Sequence, residues 1–126
     1  EQGAMVLSEK GGGDIVYDTP YESFELKIDW KIAPCGNSGL FYHVVEDTSL
    51  CCSFLTGPEV QILDDVCHPD NKLETHRAGA LYDMLPLTEA AVKPAGEWNT
   101  LHLKINGTKV QHILNNKLVV QYNLWD

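Results

Sequence analysis

A chain of 126 residues is long enough for one domain with a core but short for two. Apolar residues make up 44% of it and charged residues 21%, as in folded globular proteins rather than disordered chains. The formal net charge of -9 argues against nonspecific binding to nucleic acid or anionic lipid, because both need accumulated Lys and Arg. No run approaches the roughly 18 apolar residues that a membrane-spanning segment needs. We therefore predict a single domain over residues 1–126 that accepts neutral or cationic ligands.

The N-terminal part predicts short strands separated by turns. Tyr21–Ile32 alternates apolar and charged residues, which is typical of a half-buried strand in an antiparallel sheet. Pro34 and Gly36 end this strand. Ser38–Val45 follows and is partly apolar on both faces, which favours a central strand. Two shorter strands are predicted before these, at Ala4–Ser8 and Asp14–Tyr17.

The segment Thr56–Asp70 contains the densest group of ionisable side chains. An extended chain would turn Val60 and Ile62 to one side and the polar residues Glu59 and Gln61 to a cleft or to solvent. Pro69 prevents the segment from continuing as a central strand. The acidic residues and the histidine that follow the strand are Asp64, Asp65, His68 and Asp70. A strand end that leads into such a loop suits a sugar site, a metal site or proton transfer.

The rest of the chain resumes an extended pattern at Arg77–Met84 and then passes through a connection with one helical turn expected at Thr88–Val92. The last third has the pattern of a meander, because Asn-containing turns separate alternating segments. Its strands are predicted at Trp98–Ile105, Lys109–Leu114 and Lys117–Leu124, with turns at Asn106–Gly107 and Asn115–Asn116. About eight or nine short strands and no long helix predict a β-sandwich or jelly roll.

The four cysteines lack the paired spacing of a structural zinc site, so zinc is not expected. They are Cys35, Cys51, Cys52 and Cys67. A disulfide is the alternative in an oxidising compartment, although adjacent Cys51 and Cys52 would point to opposite faces of a strand. Between the two, we expect free, partly buried thiols.

Several motifs occur in a characteristic order and approximate spacing. They are Asp14-Ile-Val, Phe24-Glu-Leu-Lys-Ile-Asp-Trp-Lys-Ile, Gly36-Asn-Ser-Gly-Leu-Phe-Tyr, Thr56-Gly-Pro-Glu-Val-Gln-Ile-Leu-Asp-Asp, His68-Pro-Asp, Gly79-Ala-Leu-Tyr-Asp and Lys93-Pro-Ala-Gly-Glu-Trp-Asn. Together they resemble the 3-keto-disaccharide hydrolase family over nearly the whole chain. The resemblance implies an all-β fold, a concanavalin-like jelly-roll β-sandwich of antiparallel strands.

The resemblance also implies a function and a location. The family is linked to cleavage of glycosides oxidised at C3, and its members are largely exported proteins of polysaccharide-degrading bacteria, so we expect a periplasmic or secreted protein. The alternative is a non-catalytic carbohydrate-binding or assembly module, since the same sandwich serves lectins. Direct glycoside hydrolysis is a third choice, which needs two carboxylates about 5 to 9.5 Å apart.

Two departures from the family pattern stand out. His43 occupies a position where the family often has Arg, which would make binding of an anion or a carbonyl there pH-dependent. The chain is also short at both ends relative to the family, and the closing C-terminal strand is absent. Because a sandwich without that strand exposes an edge, we expect a truncated, processed or oligomeric form in which a second copy or another chain covers the edge.

Elimination from a 3-keto sugar needs a base, a group that stabilises the enolate and an acid for the leaving group. We expect Glu59 or His68 to be the base and Asp65 to orient the histidine. Arg77, or a divalent metal ion held by carboxylates, would stabilise the enolate. The alternatives are a solvated face for Glu59, a turn-stabilising role for His68 and a surface ion pair for Arg77.

Substrate binding is predicted on the same side of the sheet. Asn37, Phe41 and His43 would share one face of their strand and supply an amide, an aromatic plane and an imidazole, which hydrogen-bond to and stack on sugars. Gln61 and Arg77 complete the predicted binding set. An ordinary polar strand edge is the alternative for Asn37 and His43.

Overall fold

The computed structural model describes residues 2–125 and is all-β, as predicted. Six strands form two antiparallel sheets, one of four strands in the order β1-β4-β5-β6 and one of two strands, β2-β3. The strands are β1 Phe24–Trp30, β2 Asn37–Phe41, β3 Glu59–Leu63, β4 Asn99–Asn106, β5 Lys109–Leu114 and β6 Lys117–Asn123. The helical segments within the described range are 3-10 turns at Ser53–Leu55, Pro69–Lys72 and Glu74–His76, and none is long and apolar enough to cross a membrane.

The four-stranded sheet follows from the alternation in its sequences. Leu26 pairs with Leu103 and Ile28 pairs with Leu101, so the apolar residues of β1 and β4 share one face. The other face of β1 is charged and exposed. Each buried aliphatic side chain contributes about 1.5–3 kcal/mol relative to an exposed one, so the sheet is stabilised mainly through this inner face.

The turns of the meander are set by residues that accept positive φ. Asn115 and Asn116 have φ of 49° and 66°, which matches the predicted turn between β5 and β6. The preceding turn lies at Gly107–Thr108 rather than at Asn106–Gly107, because Asn106 still pairs with Lys109 in the ladder.

The two sheets pack against each other through one cluster of buried apolar residues. Val60 and Ile62 of β3 enter this cluster together with the inner residues of β4, β5 and β6. A hydrogen bond also crosses the interface, since the buried Tyr42, just after β2, contacts His112 of β5. The molecule is therefore a β-sandwich of antiparallel strands.

Several predicted elements are absent from the described residues. The segments Ala4–Ser8 and Asp14–Tyr17 are not strands and are largely exposed. Arg77–Met84 makes only isolated bridges through Leu81. Thr88–Val92 contains no helical turn. The count of eight or nine strands was therefore too high.

The expectation of free thiols was also wrong. Cys35 is joined to Cys67 and Cys51 to Cys52 in disulfides, and none of the four cysteines is free. The first disulfide ties the connection between β1 and β2 to the loop that follows β3. Sequence alternation could not show this, because the two segments lie 32 residues apart.

Candidate functional site

One face of the two-stranded sheet collects the polar residues of the candidate site. Phe41 lies opposite Glu59 and Gly39 lies opposite Gln61. Directly opposed residues of an antiparallel pair project to the same face. Asn37, at the start of β2, belongs to this face as well.

Glu59 is the half-buried carboxylic acid of this face. Its carboxyl group lies over Gly39, so that a Cβ atom added to the glycine would stand 1.9 Å from Glu59 Oε1. Among the described residues, the Glu59 carboxyl group has no hydrogen-bond partner. Burial, followed by the negative charge of Asp70, raises its pKa to about 7, against a smaller opposing effect of His76. The pKa of Glu59 therefore lies near neutral pH.

His76 lies beside Glu59 and is held by two carboxylates. Its Nδ1 donates to Asp70 Oδ1 at 2.8 Å and its Nε2 donates to Asp83 Oδ1 at 3.1 Å. The hydrogen bond to Asp70, with that to Asp83, raises the pKa of His76 despite its burial at 8% exposure. The same bond lowers the pKa of Asp70. Because each ring nitrogen donates to a carboxylate, the imidazolium form fits this environment.

Tyr82 covers the imidazole ring. The two rings stack with centroids 4.2 Å apart, and the Tyr82 hydroxyl donates to Asp70 Oδ2 at 3.2 Å. Burial and the charge of Asp70 raise the pKa of Tyr82, so its hydroxyl stays protonated. Asp70 thus accepts from both His76 and Tyr82.

Local backbone structure brings these groups to Glu59, at the start of β3. Pro69–Lys72 and Glu74–His76 form successive 3-10 turns, which place Asp70 and His76 on neighbouring turns. Tyr82 N donates to Glu59 O at 3.0 Å, and Asp83 N donates to Thr75 O at 3.2 Å. Tyr82 and Asp83 are therefore placed by main-chain bonds to β3 and to the second turn.

The structure gives His68 and Asp65 local contacts. His68 caps the first 3-10 turn, where its Nδ1 accepts from Asp70 N at 3.2 Å. Asp65 accepts from Ala78 N at 2.9 Å, and burial raises its pKa. The described contacts thus join Asp65 to the chain beyond Arg77 rather than to His68, and the predicted orientation of His68 by Asp65 is not seen.

Only some of the predicted binding residues lie on the face that carries Glu59. Asn37 and Phe41 lie on the face of Glu59, Asn37 exposed and Phe41 half-buried. His43 lies beyond the end of β2 with φ of 50°, and its Nε2 donates to Glu22 O at 2.9 Å. Arg77 is exposed and its Nε donates to Asn71 O at 3.3 Å. His43 therefore does not continue the alternation of β2 as predicted.

Gln61 differs from the prediction in its exposure. It is on the predicted face but only 1% exposed, so it does not face open solvent or an open cleft. The segment after Arg77 lies along β3 there, with Gln61 N donating to Ala80 O and Gly79 N donating to Gln61 O. A role of Gln61 in binding stays a prediction.

The described residues bring one set of three candidate metal ligands within 4.8 Å of one another, Cys35, Asp64 and Cys67. Both thiols of that set are joined in the disulfide, so the set does not fit a divalent ion. Asp64 instead accepts from the main chain at Cys35 and Val66. A metal ion bound by the carboxylates near Glu59 stays a prediction.

Sequence reasoning selected Glu59 as a candidate but did not select His76, Tyr82 and Asp83. His76 lies between polar residues of an irregular segment, and nothing in its spacing pointed to Asp70. The Tyr82–Asp83 pair had one available signal, because it belongs to the Gly79-Ala-Leu-Tyr-Asp motif.

Taken together, the geometry gathers a glutamic acid, a histidine, a tyrosine and two aspartates beside the short sheet of an antiparallel β-sandwich. A profile of the 3-keto-alpha-glucoside-1,2-lyase-like domain family matches residues 1–126. The chain belongs to this family, as the motifs predicted.

A curated relative and two crystal structures agree with this assignment. The 3-keto-disaccharide hydrolase of Bacteroides thetaiotaomicron is 37% identical over 125 residues, which cover 90% of this chain and 43% of the relative. Two structures described as glycosyl hydrolases of Parabacteroides distasonis align with TM-scores of 0.79 and 0.73 and identities of 33% and 34%. They cover 84% and 82% of this chain and 52% of each relative. The chain therefore spans about half the length of the relatives that it matches.

Proposed function

We propose that the protein cleaves glycosides whose sugar is oxidised at C3, with Glu59 as the base. The observation that carries the proposal is the Glu59 carboxyl group, which is half-buried, lacks a hydrogen-bond partner among the described residues and has a pKa raised to about 7. A general base is most effective when its pKa lies near the working pH. The name of the Bacteroides relative, a 3-keto-disaccharide hydrolase, supports the substrate class.

The chemistry of the substrate explains why one carboxylate suffices to begin the reaction. The C3 carbonyl acidifies the hydrogen on C2, so Glu59 can remove that proton and leave an enolate. When the enolate electrons form a C1–C2 double bond, the bond from C1 to the glycosidic oxygen breaks. Protonated Glu59 then returns its proton to the leaving oxygen, and water adds to the unsaturated sugar afterwards.

His76 supplies positive charge close to this base. Both of its ring nitrogens donate to carboxylates, which favours the charged ring. Its charge also reaches Glu59, where it offsets part of the increase in the glutamate pKa. We assign to His76 the electrostatic stabilisation of the developing enolate. Arg77 remains the alternative for this role. Its exposed side chain can turn only after the hydrogen bond from its Nε to Asn71 O breaks.

The test is turnover of a 3-keto-glucoside by a Glu59→Gln variant. Glutamine keeps the shape of the side chain but cannot accept the proton, and loss of a general base typically costs about 10²–10⁴-fold in rate. Glu97→Gln is the matched control, because Glu97 is exposed and lies outside the site. Unchanged turnover in a folded Glu59→Gln protein would show that another group is the base.

The same assay separates the alternatives. Turnover of the oxidised glycoside alone supports elimination, whereas turnover of both the oxidised and the unoxidised sugar supports direct hydrolysis. Saturable binding of either sugar without turnover identifies a carbohydrate-binding module. Export to the periplasm or the medium, as the family resemblance implies, belongs to the same proposal and is checked by fractionating cells that make the protein.

A further inference from the structure

The side-chain amide of Gln61 contains an unused hydrogen-bond donor at the candidate site. Gln61 Nε2 is buried and has no hydrogen-bond partner, the one such side-chain atom found among residues 2–125. Leaving a buried donor unpaired costs about 1–3 kcal/mol. Gln61 lies on the strand that carries Glu59. The unpaired Nε2 donor therefore indicates that a ligand atom accepts its hydrogen bond when the site is occupied.

The amide orientation is fixed by the backbone. Gln61 Oε1 accepts from Ile62 N at 3.2 Å. Because a main-chain N–H can only donate, the atom facing it must be the amide oxygen, and Nε2 must be the free end. The free end of Gln61 is therefore donor-only.

Glu59 stands next to this donor. The Glu59 carboxyl group lies over Gly39, and Gly39 is the direct cross-strand partner of Gln61. Opposed positions in an antiparallel pair lie about 4.5–5.5 Å apart at Cβ, so the Glu59 carboxyl group occupies a position that neighbours Gln61 on this face. No hydrogen bond from the described residues holds the Glu59 carboxyl group, so this side chain can adjust when a sugar occupies the face.

We propose that Gln61 Nε2 donates a hydrogen bond to the C3 carbonyl oxygen of the bound sugar and thereby selects the oxidised over the unoxidised glycoside. The C3 carbonyl oxygen can only accept a hydrogen bond, so it pairs with Gln61 Nε2 and adds no donor that needs a partner of its own. A C3 hydroxyl adds a hydrogen that needs its own acceptor in a buried setting. This inference rests on the proposed substrate class but not on the role of Glu59 as base.

The test compares the dissociation constants of a 3-keto-glucoside and the matching unoxidised glucoside for the intact protein. Gln61→Leu removes the donor, and Gln61→Glu keeps the oxygen that Ile62 N uses while replacing the nitrogen. Gln121→Leu is the matched control, since Gln121 is exposed on β6 and bonds only to Gln111. We expect the wild-type protein and the control to prefer the keto sugar by about tenfold or more, and both Gln61 variants to lose that preference.

The ratio of the two dissociation constants is informative because a general structural defect weakens the binding of both sugars alike. A ratio within twofold of the wild-type value in either folded Gln61 variant would overturn the proposal, as would a wild-type protein without preference or without binding. If neither variant folds, the side-chain ¹⁵N signal of Gln61 in the wild-type protein decides: a shift on adding the keto sugar supports the hydrogen bond, and an unmoved signal overturns it. Loss of the preference in Gln61→Leu with full turnover by Glu59→Gln would instead refute the proposed base alone.

Discussion

At the scale of single residues, the Glu59 site depends on a residue without a side chain. Gly39 leaves the space that the Glu59 carboxyl group occupies, since an added Cβ would stand 1.9 Å from Oε1 and 2.7 Å from Cδ. Real Cβ atoms do not approach so closely, so any larger residue at position 39 must move the carboxyl group. The pKa of Glu59 follows from this position, because burial is the largest cause of its increase.

We therefore predict that Gly39→Ala lowers turnover of the keto sugar by about tenfold or more, as small displacements of a reacting group cost 10²-fold in well-oriented sites. The expected loss in free energy of unfolding is smaller, about 1 kcal/mol or less, because a flexible side chain can move away. Gly12→Ala is the control, since its nearest contact would be Leu7 Cδ1 at 3.9 Å. Equal turnover in wild type and Gly39→Ala would show that the carboxyl position over Gly39 is unimportant. Steady-state kinetics and urea denaturation measure the two effects separately.

Single residues also show where sequence reasoning ends. Glu59 was predictable because alternation in a short strand assigns its face. His76 was not, because its partners Asp70 and Asp83 reach it through 3-10 turns and a main-chain bond that carry no periodic signal. The burial of Gln61 was not predictable either, because the chain that covers it follows 18–19 residues later without forming a regular strand.

At the scale of elements, the loop after β3 is fixed to the rest of the fold by a covalent bond. The Cys35–Cys67 disulfide joins this loop to the connection between β1 and β2. Cys35 N also donates to Asp64 Oδ2 at 2.8 Å, and Asp64 N donates to Gly36 O at 3.0 Å. The loop leads directly into the turns that carry Asp70 and His76.

We predict that removing this disulfide with Cys35→Ser and Cys67→Ser lowers the free energy of unfolding by about 2–4 kcal/mol, the range expected for a loop of this length. Cys51→Ser with Cys52→Ser is the matched control, because that disulfide joins neighbours at a sequence separation of 1 and closes almost no loop. Urea denaturation under oxidising conditions measures both variants. Equal losses in the two double variants would contradict the loop-entropy argument.

The strands themselves were predictable to different extents. Those of the meander lie within a residue or two of their predicted ends, because alternation and Asn-containing turns act locally. The segments Ala4–Ser8 and Asp14–Tyr17 have strand-like composition but are not strands in the described part of the chain. A strand needs a neighbour, and which segments become neighbours depends on tertiary packing rather than on local pattern.

At the scale of the whole molecule, a chain of buried hydrogen bonds joins the two sheets to the site. His112 Nδ1 donates to Gly79 O at 2.9 Å, so its Nε2 accepts from the Tyr42 hydroxyl at 3.2 Å. The Tyr122 hydroxyl bonds to that of Tyr42. Gly79 N in turn donates to Gln61 O at 2.8 Å, which links the buried network to β3. His112 is thus fully buried with both ring nitrogens hydrogen-bonded.

Tyr42→Phe removes the central hydroxyl, so His112 Nε2 and the Tyr122 hydroxyl each lose the partner they have in Tyr42. We predict a loss of about 1–3 kcal/mol in the free energy of unfolding, the usual cost of an unsatisfied buried group. Tyr17→Phe is the control, because Tyr17 is 75% exposed. Chemical denaturation of the two variants measures the difference, and a loss no larger for Tyr42→Phe than for Tyr17→Phe would contradict the role of the network.

The dependence of stability on pH combines this network with the site. His112 is fully buried, and burial lowers its pKa from 6.5 to about 4. Between these two pH values the unfolded chain protonates His112 and the folded chain does not, so the free energy of unfolding falls as pH drops from 6.5 towards 4. Glu59 acts in the opposite sense, because its pKa is raised from 4.5 to about 7 and the folded state holds the extra proton. The stabilisation that Glu59 contributes to the folded state is present below pH 4.5 and is lost as pH rises through 7. The two effects oppose each other between pH 4.5 and 6.5.

We predict that Glu59→Gln makes the rise in stability between pH 4.5 and 6.5 steeper, because the variant keeps the His112 effect and loses the opposing one. One proton changes the free energy of unfolding by at most about 1.4 kcal/mol per pH unit, and partial solvent exposure of Glu59 reduces its share below that limit. Urea denaturation of wild type, Glu59→Gln and Glu97→Gln at three pH values within this window measures the slopes. The Glu97→Gln slope should match wild type. If the Glu59→Gln slope equals those of wild type and Glu97→Gln, Glu59 has the same pKa in the folded and unfolded chain. The glutamate would then lack the raised pKa on which its assignment as base depends.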